Sequence, residues 1–122
     1  MEITKAYVNV NFEFEALHRN PNAVPGEWYE REPHRHIFIV TARKDCGGLH
    51  GKVSAHLLRR EMLKWAVEEH FTDEHKGSGA LDIECWKCEG LAFLFCKQFS
   101  LDWCRVMDSV GTGAEVYCSQ AD

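Results

Sequence analysis

Residues 5–18 read KAYVNVNFEFEALH, and residues 34–43 read HRHIFIVTAR. In the first stretch Ala6, Val8, Val10, Phe12, Phe14, Ala16 and His18 alternate with Lys5, Tyr7, Asn9, Asn11, Glu13 and Glu15. Successive side chains of a strand point to opposite faces, so this period of two predicts a half-buried strand. In the second stretch His34, His36, Phe38, Val40 and Ala42 share one face, and Arg35, Ile37, Ile39, Thr41 and Arg43 share the other. Consecutive strands usually pair, so the two are expected to form an antiparallel hairpin. The first is long against the usual strand of about five or six residues. A strand of that length outgrows a small domain and is suited to pairing with another subunit. The connection, residues 19–33, carries Pro21, Pro25, Gly26 and Pro33. It is too long for a simple hairpin turn, and loops of that size are usually functional or disordered.

Cys46-Gly47-Gly48 ends the second strand. Ser54 can cap a helix running to about Phe71, with Leu58, Met62, Trp65 and Ala66 as its apolar stripe. Residues 72–79 form a polar loop that includes His75. A second helix is predicted from Cys88 to Phe99, burying Cys88, Leu91, Ala92, Phe95 and Phe99. Trp103 to Val110 reads as a strand, Gly111-Thr112-Gly113 as a turn, and Ala114 to Cys118 as a last strand. The order ββ-αα-ββ predicts an α+β domain with antiparallel hairpins.

The chain has 122 residues, one domain at about 150 residues per domain. Its 45% apolar and 27% charged residues are an ordinary globular composition. No apolar run approaches the roughly 18 residues of a membrane span. Met1-Glu2-Ile3-Thr4-Lys5 lacks the basic and apolar regions of a signal peptide, which predicts a cytoplasmic protein. A net charge of −5 argues against a general nucleic-acid surface.

Seven His and six Cys in so short a chain need an explanation. Without a secretion signal, the cysteines are expected to be reduced thiols, most of them small buried hydrophobes. Cys85-Trp86-Lys87-Cys88 would suit half a zinc site or a redox motif, but a second C-x-x-C is absent. The histidines say more. In a hairpin the end of strand one lies beside the start of strand two, so His18, His34 and His36 converge on one end. Three neutral imidazoles with an open fourth position are the usual catalytic zinc site. The bland alternative is three unrelated histidines.

These residues resemble a family. Phe14-Glu15-Ala16-Leu17-His18 followed by His34-Arg35-His36 looks like the F-x-A-x-H and H-G-H strands of the 6-pyruvoyltetrahydropterin and 6-carboxytetrahydropterin synthases. Cys88-Glu89-Gly90-Leu91-Ala92 is similar to that family's T-x-E-N-L-A helix start. The resemblance runs along the whole chain and is weaker after residue 45. It implies the tunnelling fold, in which two stacked trimers close a barrel and place the sites between subunits, so a homo-oligomer, hexamer or trimer, is expected. It implies that His18, His34 and His36 bind zinc, and that the substrate is a dihydropterin with a 6-side chain. It gives Asp108 the place of the pterin-anchoring carboxylate and Glu89 a place in the pterin pocket.

Departures from the family pattern bear on the chemistry. Its catalytic Cys, four residues before the H-x-H pair, is missing, since no Cys precedes residue 46. Glu30 stands at that spacing and Glu32 two before His34. A subgroup of the family has Glu in place of the Cys and cleaves dihydroneopterin for folate synthesis, which makes Glu30 the expected acid/base; the alternative is a solvated loop acid. The family's Asp-His relay is not intact: His75 in Asp73-Glu74-His75 is the nearest candidate, with Glu69-His70 behind it. Arg35 replaces the Gly of H-G-H. Trp28 and Tyr29 lie in the loop where either could cover a flat ligand, and the remaining tryptophans are expected in the core or an interface. The expected function is zinc-dependent lyase chemistry on a dihydropterin side chain, by retro-aldol cleavage or elimination. Its rivals are a non-catalytic zinc protein of the same fold that binds a pterin- or purine-like ligand, and a small zinc module using Cys85 and Cys88.

Overall fold

A computed structural model describes residues 5–18, 34–47, 51–68, 88–109 and 111–118; for residues 16–18 and 34–36 it describes the backbone. The elements are β1 (Tyr7–His18), β2 (His34–Asp45), α1 (Ala55–Glu68), α2 (Cys88–Phe99), β3 (Trp103–Asp108) and β4 (Gly113–Tyr117). The four strands form one antiparallel sheet in the order β1-β2-β3-β4. The α+β class and the ββ-αα-ββ order are therefore as the sequence predicts.

The alternation decides which face is buried. Val10, Phe12 and Phe14 of β1, Phe38, Val40 and Ala42 of β2, and Cys104 and Val106 of β3 are all buried. Against them pack Leu58, Met62 and Ala66 of α1 and Leu91, Ala92, Phe95 and Cys96 of α2, so the helices cover one side of the sheet. Phe12 meets Phe95 edge to face at 5.9 Å, Phe14 stacks on Phe38 at 5.5 Å, and Trp65 meets Phe95 at 5.3 Å. Trp65 thus joins the core, as expected.

Trp103 does not. Its odd-numbered position turns it to the open side of the sheet, between the guanidinium groups of Arg43 and Arg105, each 5.6 Å from its ring. Arg43 also lies 5.0 Å over Tyr7, while Trp103 Nε1 donates to Glu115 at 3.1 Å. The Arg43 Nε is buried between these rings with no hydrogen-bond partner among the described residues.

The helix ends explain the boundaries. Ser54 Oγ accepts the Leu57 N–H at 3.3 Å, the N-cap that the sequence predicts for α1. The described part of α1 ends at Glu68, and the stretch predicted to carry it to Phe71 lies outside the described residues. At the end of α2, Ser100 has φ +52° and the Leu101 N–H reaches back to the Cys96 carbonyl at 3.1 Å. This is the six-to-one closure of a Schellman motif with Ser where Gly is usual. Lys44 Nζ donates to the Phe99 carbonyl at 2.7 Å, placing a cation at the negative end of the helix dipole. Gly47, with φ +79°, turns the chain after β2.

Candidate functional site

The site is built from the β1–β2 register. Tyr7 pairs with Asp45 and the ladder continues without a break to His18 opposite His34. Ala16 lies opposite His36, so His36 is two positions along from the His18–His34 pair. Opposed positions lie about 4.5–5.5 Å apart, Cα to Cα. Two residues along a strand add about 6.6 Å. The backbone therefore brings the three histidine positions into one corner of the sheet. They continue the register row of Phe14–Phe38, Phe12–Val40 and Val10–Ala42.

Two further elements reach that corner. β3 pairs with β2 from Trp103↔Arg43 to Phe38↔Asp108, so among the described residues the β1–β2 ribbon runs past the end of β3. Asp108 is the last residue of β3, two register steps from His36. α2 runs antiparallel to β3 because the tight closure at Ser100 and Leu101 turns the chain back on itself. Its first residues, Cys88 and Glu89, therefore sit at the Asp108 end. The Cys88 thiol registers this: burial, then the charges of Asp108 and Glu89, push it up to about 11. It stays a neutral thiol at physiological pH.

Asp108 is half-buried and has turn partners. Its Oδ1 accepts the Thr112 N–H at 3.1 Å and its Oδ2 accepts the Thr112 hydroxyl at 2.8 Å. The Asp108 N–H donates to the Thr112 carbonyl at 2.7 Å, and the Gly111 N–H donates to the Asp108 carbonyl at 3.1 Å. These bonds stop β3 at Asp108 instead of the expected Val110. β4 begins at Gly113, where a Cβ would collide with the Val106 carbonyl oxygen. Asp with Gly three residues later is a β-turn signature, and it could have been read from the sequence. Glu89 is exposed in the first turn of α2, where a negative charge complements the helix dipole.

Cys88 opens α2 and packs against the core, as the apolar spacing predicts; what the sequence does not show is that its thiol lies within the field of the two acidic site candidates. A hint of this lies in the short return from α2 to β3. Glu30, Glu32, His70, His75, Trp28, Tyr29, Trp86 and Cys85 lie outside the described residues, as do the side chains of His18, His34 and His36. Among the described side chains, no group of three or more His, Cys, Asp or Glu is arranged to hold a metal ion.

A shallow, mainly apolar groove of about 300 Å³ lies at the opposite end, lined by residues including Lys52, Val53, Leu57, Leu58 and Phe99. It shares no residue with the histidine corner. Among the described residues, no helix is long and apolar enough to cross a membrane. No protein-family model matches the chain, and no curated protein is significantly similar to it.

Proposed function

We propose that the chain is a zinc-dependent, homo-oligomeric protein of the tunnelling fold that acts as a lyase on the side chain of a dihydropterin. The observation that carries this is the register that opposes His18 to His34 and sets His36 two positions away. The donor set fits: three imidazoles supply the neutral nitrogens that zinc prefers and leave a coordination position open. Zinc held there would polarise a substrate hydroxyl or carbonyl. Glu30 takes the hydroxyl proton in a retro-aldol cleavage, or the carbon-bound proton in an elimination, with His75 relaying it. Asp108 accepts the N–H edge of the heterocycle, as a carboxylate accepts a planar fork of donors. Glu89 closes the pocket beside it. Association is supported by the sheet edges, because among the described residues β1 pairs only with β2 and β4 only with β3.

The missing loop cysteine and the incomplete relay favour a second reading, a zinc protein of the same fold that binds a pterin- or purine-like ligand without turnover. Incubation with dihydroneopterin and its triphosphate, followed by mass spectrometry, separates the two. Product formation that Glu30→Gln abolishes, with zinc retained, supports the lyase. Tight ligand binding with no product supports the binder. Protein purified without a His tag that neither carries nor takes up zinc overturns both. Loss of zinc on replacing Cys85 and Cys88 points instead to a cysteine-based zinc module.

A further inference from the structure

Away from the histidine corner, three free cysteines gather where α2 crosses the second hairpin. Cys96 sits on the buried face of α2 at 4% exposure, and Cys104 of β3 is fully enclosed. The β3–β4 register opposes Cys104 to Val116, and Cys118 lies two residues further along. The Cys118 N–H donates to the Asp102 carbonyl at 2.8 Å, so the strand geometry persists to Cys118. Cys118 therefore continues the row of Ala114 and Val116 toward the helices, diagonal to Cys104 and packed on the core cluster that includes Cys96. The Cys96 and Cys118 side chains are hydrogen-bond partners. Cys118 is half-buried, so among the three it is the one a dissolved reagent reaches.

We propose that Cys118 and Cys96 form an oxidative modification site, at which a low-molecular-weight disulfide such as glutathione disulfide converts the pair to an intramolecular disulfide. The Cys118 thiolate attacks one sulfur of the reagent, forming a mixed disulfide and releasing one glutathione thiolate. The Cys96 sulfur then attacks the Cys118 sulfur, forming the Cys96–Cys118 bond and releasing the second glutathione. The two thiol protons end on the two glutathiones, and the two electrons lost by the cysteine pair reduce the reagent. Burial holds the Cys96 proton tightly, which slows the second step. Contact with Cys118 offsets this, because the attack is intramolecular and already positioned. The bond ties the last turns of α2 to the end of β4 and closes the chain between residues 96 and 118.

The test uses the full chain, incubated with glutathione disulfide and mapped by mass spectrometry of unreduced peptides. The expected result is a linked Cys96–Cys118 peptide, a thermal midpoint raised by about 5–10 °C, and reversal by a dithiol reductant. Cys96→Ser should stop at the glutathione adduct on Cys118, and Cys118→Ser should give neither adduct nor link. A wild-type adduct on Cys118 that persists without linking, or a link from Cys118 to Cys104, overturns the proposal. Wild-type mapping decides even if a serine variant fails to fold.

Discussion

At Asp108 a structural and a ligand-binding role meet in one side chain, and substitution can separate them. The carboxylate holds the β3–β4 turn through the Thr112 N–H and hydroxyl. Asn keeps an oxygen for the N–H, and its amide can donate to the Thr112 hydroxyl, so Asp108→Asn should leave stability within about 1 kcal/mol of the wild type. Asp108→Ala leaves both Thr112 groups without this partner and should cost about 1–2 kcal/mol by urea denaturation. Ligand affinity should follow charge instead: Asn should weaken dihydropterin binding about tenfold or more, since it loses a charge-assisted pair. Equal binding by Asn and wild type would leave Asp108 as a turn residue alone. The same position shows what was legible in the sequence. The Asp108-to-Gly111 spacing of a β-turn is visible in the sequence, but the capture of the Thr112 hydroxyl by the same carboxylate is not, because no spacing rule encodes a side-chain pair.

Among the elements, strand period and helix face were the most legible features. Val10, Phe12, Phe14, Phe38, Val40 and Ala42 are buried because alternation leaves them no other face to share. The second helix spans Cys88–Phe99 as its apolar spacing predicts. Its end was harder to foresee, since the left-handed position holds Ser100 and no glycine marks it. Trp103 shows the limit of composition: a tryptophan suggests core or interface, and strand parity decides against the core by placing it on the sheet face away from the helices, among arginines. The start of α1 was legible and can be tested. Ser54→Ala removes the oxygen that accepts the Leu57 N–H, and should cost about 1 kcal/mol in chemical denaturation, whereas Ser54→Asp should cost little. An unchanged midpoint for Ala would show that solvent serves that N–H equally well.

For the molecule as a whole, the histidine corner was legible because only local pairing had to be assumed. The approach of Cys88 and Asp108 depends on how α2 returns over the sheet, which no period in the sequence encodes. That approach adds to a property spread through the core. The thiols of Cys88, Cys96 and Cys104 are all raised above the ordinary 9.0, chiefly by burial, with Cys88 at about 11 and Cys104 at about 12. An unfolded chain would release these protons near pH 9, while the folded chain keeps them to about pH 11–12. In that window the folded state binds more protons, so its stability must fall as pH rises. The contribution is fully present below pH 9 and disappears as pH passes the folded values. Under reducing conditions, the urea midpoint should be flat from pH 7 to about 8.5 on this account and decline steadily above it. Replacing Cys88, Cys96 and Cys104 together with Ala should lower the midpoint at pH 7 but flatten the alkaline decline. An identical decline in that variant would assign the alkaline sensitivity to other groups, and a flat wild-type profile to pH 11 would mean that the buried thiols ionise no later than exposed ones.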